Sequence, residues 1–257
     1  MIEGLAVLMP LAADVFWHGF LVFMRMAALV SLLPAFGEQS VPMRIKLAVT
    51  FAFVMVVAPA VPVIAMPQNF DGSVWLVLTE IGAGLLIGLG VRLFILALQT
   101  AGSIAAQSTS LSQILGGAVA DPLPALGYTL IIAGLALAVM MGLHVKAAML
   151  VILSYEMLPM GQLPDGSVVS QWGLAQVRNA FELAFTLAAP FLIVSVLYNL
   201  ALGAINKAMP QLMVAFVGAP VITFAGLFIL FLAGPLILTV WLAALDDFMA
   251  NPFMVSR

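Results

Sequence analysis

The sequence predicts an all-α membrane protein of about six apolar helical segments packed as hairpins, and three observations predict it. Of its 257 residues, 65% are hydrophobic and 7% are charged. A soluble domain carries roughly 25% charged residues, so this chain has too little polar surface to coat a water-soluble globule. Its mean hydropathy is +1.24, and the apolar residues gather in runs of bilayer length separated by short breaks. The net charge of −3 says little about partners. With two histidines and no cysteine, Cys-based zinc, iron–sulfur and disulfide chemistry are excluded.

The segments follow in order. The start, MIEGLAVLMP, has Glu3 and no Lys or Arg. It lacks the basic region of a cleavable signal, so the first span is expected to be retained. Val15 to Leu33 is the first apolar run, long enough at 1.5 Å per residue to cross a core of roughly 30 Å. "PAFGEQSVP" breaks it, and Ile45 to Ile64 forms the second run, closed by Pro59, Pro62 and Pro67. After a turn at Asp71-Gly72, Val74 to Leu98 is the third. Leu126 to Leu143 is the fourth, with His144 and Lys146 at its end and a further apolar piece, Ala147 to Leu158, behind them. Phe181 to Leu202 is the fifth, broken at Asn206 to Pro210, and Val221 to Leu245 is the sixth. The short loops imply antiparallel hairpins within one integral membrane domain over residues 1–257. Arg44 and Lys46 follow the first span, and the positive-inside rule puts their loop in the cytoplasm.

The charges inside the runs stand out. Arg25 lies near the middle of the first span, where a cation costs about 2.5–3.5 kcal/mol on insertion scales. Two readings stand: a pore or gate contact, or a structural pair with a carbonyl or an acid. The structural one is preferred. Glu80 and Arg92 share the third run, roughly 18 Å apart along a helix axis and about 120° apart around it. They cannot pair with each other, so each needs a partner elsewhere. A proton relay through Glu80 is disfavoured, because no second acid is aligned with it. Gly84 and Gly88 form a GxxxG, which reads as close helix packing. No metal-ligand cluster, Ser-His-acid set or phosphate loop occurs, so neither a catalytic site nor a cofactor is expected. The sixteen methionines read as packing residues.

"QTAGSIAAQSTSLSQILGGAVADPLP", Gln99 to Pro124, is unlike the rest. It is polar, and Asp121 is its single charge. Irregular backbone is tolerated at membrane depth only where protein buries it or where it lines water. Ser, Thr and Gln can satisfy one another there, and Gly116-Gly117 lets the chain turn sharply. A re-entrant, plug-like loop over about 100–124 fits these features, and a surface loop at the membrane edge is the other reading. The scarcity of charge favours the enclosed loop.

Four stretches carry a resemblance. "FLVFMRMAALVSLLPAFGEQSVPMRIKLAVTFAF" has an Arg in the first span, then Pro-x-Phe-Gly and Val-Pro-x-x-Ile-Lys. "EIGAGLLIGLGVRLFILALQTAGSIAAQ" has Glu-x-x-x-Gly-x-x-x-Gly leading into Leu-Gln-x-Ala-Gly. "HVKAAMLVILSYEMLPMG" has a His and then Ser154 to Gly161. "LGAINKAMPQLMVAFVGAPVITFAGL" has Asn-Lys-x-x-Pro-Gln and a later Gly-x-Pro. In this order and spacing they resemble the FliR family of flagellar type III export-gate proteins, over nearly the full length. Met213 departs from the pattern, standing where Asn often follows Pro-Gln-Leu.

The resemblance implies more than composition does. It implies a fold like a FliP-like part fused to a FliQ-like part, with helices that need not all cross lipid. It implies a non-enzymatic, multi-pass subunit of the bacterial inner membrane and flagellar basal body. The partners it implies are FliP, FliQ, FlhB and FlhA, with unfolded flagellar proteins as cargo, lipid around it and no nucleic acid. It places Gln107, Ser108, Thr109, Ser110, Leu111, Ser112, Gln113, Ile114, Leu115, Gly116, Gly117 and Asp121 in a plug across the closed gate. Arg25, Glu80, Gly84, Gly88, Arg92, Asn206, Lys207, Pro210 and Gln211 are expected to serve structure and assembly. The competing reading is a secondary transporter for a small solute, which inverted repeats and discontinuous helices would mark. An intramembrane enzyme ranks last.

Overall fold

The computed structural model describes residues 2–110, 125–209 and 214–253, with side chains over 12–108, 126–209, 221–222 and 224–253. Among the described residues every regular element is helical. The helices are α1 (Ile2–Leu32), α2 (Met43–Val57), α3 (Phe70–Ser110), α4 (Ala125–Met140), α5 (Leu143–Met157), α6 (Gly166–Ala208) and α7 (Val214–Ala250), with a short 3-10 turn at Ala58–Ala60. Five are long and apolar enough to cross a membrane, and the bent pair α4–α5 makes a sixth if taken as one span. This is an all-α, multi-pass membrane protein.

Hydropathy marks the spans but not the helix ends. Residues 99–110, expected to open a loop, continue α3. Ala101, Ala105 and Ala106 are good helix formers and are buried. The Ser108 hydroxyl donates to the Ala105 carbonyl, which satisfies a polar side chain inside the helix. The expected loop over 100–124 is therefore helical through Ser110, and its remainder, 111–124, lies outside the described residues. The fourth run ends at Met140 instead of Leu143. His144 and Lys146 sit in the first turn of α5, because Gly142 takes a left-handed φ of 82° and stops the helix before them. α6 begins at Gly166, well before the apolar run at Phe181. At 43 residues it is about 64 Å long, twice a bilayer core of roughly 30 Å.

The chain groups into two compact units. The first holds residues 1–92, 139–175 and 247–257. Within it α1 presents Leu21, Arg25 and Leu29, all buried and spaced by four, and Leu33 just past its end continues the row. Gly84 and Gly88 of α3 meet that face. A methyl group on Gly84 would fall on the Arg25 carbonyl and lie 2.9 Å from the Ala28 Cβ; one on Gly88 would lie 3.1 Å from the Leu32 Cβ. Between lipid-facing helices the hydrophobic effect is absent, so close backbone approach supplies the van der Waals contact that holds them. The loop after α1 turns at Gly37, whose N–H donates to the Leu33 carbonyl at 2.7 Å. Pro59 sits in the 3-10 turn behind α2, and His18 Nε2 lies 2.9 Å from the Ala58 carbonyl there. Two indoles tie down the remaining segments. Trp75 Nε1 donates to the Gly161 carbonyl at 2.9 Å, and Trp172 Nε1 donates to the Pro252 carbonyl at 2.8 Å.

The second unit holds residues 93–138 and 176–246. Here α3 and α4 touch glycine to glycine: a methyl group on Gly102 would fall on the Gly127 Cα. Trp241 of α7 is fully buried, and its Nε1 donates to the Phe94 carbonyl at 2.8 Å. α6 buries Ala184, Leu187, Ala188, Phe191 and Ser195 as one seam. Pro190 lies inside this helix, which continues past it.

These contacts separate tight glycines from free ones. Gly84→Ala is expected to lower stability by about 1–3 kcal/mol through overpacking against α1. Gly173→Ala, with nothing within 4 Å of the added methyl, is expected to be neutral or to stabilise by about 0.5–1 kcal/mol. Thermal unfolding of the detergent-solubilised variants measures both.

Candidate functional site

Arg25 is the second-largest fully buried side chain in the described core, after Trp241. Its guanidinium meets the Glu80 carboxylate as a two-pronged fork. Nε donates to Glu80 Oε2 at 2.9 Å and Nη2 to Oε1 at 2.8 Å. Nη1 donates to Ser154 Oγ at 3.1 Å, and Nη2 also donates to the Leu158 carbonyl at 2.9 Å. Four of the five guanidinium N–H groups are thereby used. The Tyr155 ring lies under the cation, 3.6 Å from Cζ to the ring centre. Its hydroxyl donates to Glu80 Oε2 at 3.0 Å. Arg25 and Glu80 are 1% and 0% exposed, so neither charge is shared with water.

The local sequence explains the geometry. Glu80, Gly84 and Gly88 recur at intervals of four and share one face of α3. The two glycines bring the α1 backbone close, and the carboxylate one turn before them then meets Arg25. Ser154 and Tyr155 close the last turn of α5, and Leu158 follows its end. A fork between a planar cation and a carboxylate is geometrically selective, so Lys at position 25 would not reproduce it. As a neutral group with four of five guanidinium N–H groups bonded, the cluster suits a fixed joint between helices.

The second intramembrane cation is placed differently. Arg92 pairs through Nη1 with Glu38 in the loop after α1, and both are half-buried. Lys46 Nζ donates to the Gly37 carbonyl of the same loop at 2.9 Å. The loop carrying "PAFGEQ" is therefore held by two cations from different helices.

In the second unit the polar end of α3 meets α6. Ser195 Oγ donates to the Ser108 carbonyl at 2.6 Å, and Asn199 Nδ2 donates to the Ser195 carbonyl at 2.8 Å. Gln107, Ser108, Ser195 and Asn199 border an open cavity of about 490 Å³ walled by Ile104, Leu192, Val196 and Leu200. Thr109 and Ser110 lie in the last turn of α3. Leu111, Ser112, Gln113, Ile114, Leu115, Gly116, Gly117 and Asp121 fall outside the described residues. Asn206 and Lys207 are exposed in the last turn of α6, while Pro210 and Gln211 fall outside the described residues. No group of three or more metal-ligating side chains occurs among the described residues.

Glu38, Tyr155, Ser195 and Asn199 carry no mark in the sequence that singles them out as partners. Glu38 sat in a stretch read as a breaker, and Tyr155 in an apolar run. Their signal was indirect: each unpaired charge demanded a partner somewhere.

Helices of bilayer length around a buried Arg–Glu joint define the class as a multi-pass membrane protein built on charge-neutral helix packing. Residues 16–248 match the family described as bacterial export proteins, family 1. The chain is 32% identical to the flagellar biosynthetic protein FliR of Caulobacter vibrioides, an overlap of 86% of this chain and 90% of the relative. It is 27% identical to the FliR of Escherichia coli, covering 83% of each. To the FliR of Pectobacterium carotovorum it is 29% identical, covering 84% of this chain and 83% of the relative. The chain belongs to this family of export proteins, the FliR family.

The joint makes a sharp energetic prediction. Arg25→Leu strands a buried carboxylate and is expected to cost about 3–5 kcal/mol, whereas Arg25→Leu with Glu80→Leu removes both charges and recovers most of it. Tyr155→Phe is expected to cost about 1 kcal/mol. The yield of monodisperse protein in detergent, with its melting temperature, tests all three.

Proposed function

We propose that the chain is a non-enzymatic subunit of the flagellar type III protein export gate. It forms part of the channel through which unfolded flagellar proteins cross the bacterial inner membrane at the basal body. The observation that carries this reading is the family match over residues 16–248, together with similarity to a FliR relative over 86% of the chain. FliP and FliQ are the proposed direct neighbours, with FlhB and FlhA beside them. Phe16, Met55, Phe70 and Phe231 are 77–81% exposed, and lipid or neighbouring subunits must cover them.

The stretch from Gln107 to Asp121 is the proposed plug. Many small hydrogen bonds seal a path and still yield to a passing chain more readily than buried ion pairs, whose disruption costs about 3–5 kcal/mol. At the described end of α3, Gln107 and Ser108 are helical and border an open cavity, and the proposed plug begins there. Arg25, Glu80, Gly84, Gly88 and Arg92 are assigned to the chain's own packing. Asn206, Lys207, Pro210 and Gln211 are assigned to assembly, because a proline break leaves backbone carbonyls that neighbouring protein must cover.

Among the described residues, the break between α4 and α5 favours a secondary transporter, where discontinuous helices hold substrate. Met140 and Met141 at this break are exposed apolar side chains, and the family match favours the gate subunit.

Two experiments test the proposal. Affinity purification of the tagged chain from native membranes is expected to bring FliP and FliQ; an isolated homo-oligomer would support the transporter. Deleting residues within 107–121, with enough length kept to join α3 and α4, is expected to leave the complex assembled but permeable to ions. A tight membrane around an intact complex would return this stretch to a surface loop.

A further inference from the structure

Every group that neutralises Arg25 is synthesised long after it. Glu80 follows by 55 residues, Ser154 by 129 and the Leu158 carbonyl by 133. The Tyr155 ring under the cation belongs to the same late segment. Asp14, an acid on α1 itself, lies roughly 16 Å away along the helix axis and accepts from the Met66 amide instead. During synthesis α1 therefore has a cation inside its apolar segment Ala12–Leu32 and nothing to pair it with.

That condition has a direct consequence. An unpaired arginine near the centre of a span shifts the helix on the order of a hundredfold away from hydrocarbon. Glu80 carries the mirror problem, since it too is fully buried and depends on Arg25. Each charge is disfavoured in apolar surroundings until the other is there to pair with it. The glycine contact works in the same direction: α2 already packs on α1, but the seat of Gly84 against the Arg25 backbone exists only once α3 is present.

We propose that Arg25 and Glu80 form an insertion-order lock. α1 commits to its membrane-spanning position only after α3 and α5 have been made, so the first helix synthesised is the last of the three to settle. The lock delays α1 until the joint that will hold it exists. The proposal does not depend on the export reading.

The chain has no cysteine, so one introduced thiol reports on α1 alone. Gly19 lies within the span with open space around an added Cβ, and Gly19→Cys supplies the probe. The full-length message is translated synchronously into native inner-membrane vesicles. Chains sampled at increasing length are treated with a water-borne maleimide, to which a thiol in hydrocarbon does not react. With Arg25 present, the introduced thiol is expected to stay reactive until residue 158 has left the ribosome, and then to lose reactivity at least tenfold. In Arg25→Leu that loss is expected as soon as α1 and α2 have left the ribosome. Arg25→Leu with Glu80→Leu is expected to behave the same way and covers failure of the single variant to fold. A static packing role would not change the chain length at which protection begins. Protection at the same length with and without Arg25, or before Glu80 is made, would overturn the proposal.

Discussion

The constraint on which the first unit depends is that hydrocarbon offers a charge nothing. One guanidinium in α1 must find all its partners inside the protein, and it finds them in α3, in α5 and in the residue that ends α5. Three helices thereby share one joint. The joint is directional: a planar fork on a carboxylate sets both separation and rotation of the helices that carry them. Its net contribution to stability need not be large, because desolvating both charges offsets much of their attraction. What it contributes is a single allowed arrangement.

Small residues do the complementary work. With apolar surface everywhere, helices gain little from hiding it from lipid, and close contact has to supply the attraction. Gly84 against Arg25 in the first unit and Gly102 against Gly127 in the second are two instances of one device. Polar backbone and side chains are handled in kind. Serine hydroxyls such as those of Ser108 and Ser154 bond to carbonyls three residues back, so the helices carry them without an open valence.

The sequence made some of this legible. Charges in apolar runs are costly, so the need of Arg25, Glu80 and Arg92 for partners was readable, as was the close packing at Gly84 and Gly88. The identity of the partners was not. Glu38 and Tyr155 acquire meaning only once it is known which helices meet, and no local pattern encodes that. Helix ends were illegible for a different reason. Hydropathy reports preference for lipid, whereas a helix continues wherever its backbone bonds are satisfied. α3 therefore runs on through Ser and Gln to Ser110, and α6 starts in polar residues at Gly166. The break at Gly142 was hidden because glycine is common in apolar helices, and only its left-handed φ singles it out.

The four tryptophans fall unevenly: positions 17, 75 and 172 in the first unit, and 241 alone in the second. Trp75 is half open to its surroundings, whereas Trp241 is sealed, with its N–H on the Phe94 carbonyl. The molecule thus carries two optical environments that need no label. Emission from Trp241 is shielded from dissolved quenchers, and emission from Trp75 is not. A spectrum recorded with and without quencher therefore separates Trp75 from the buried pair Trp172 and Trp241, within a single unmodified chain.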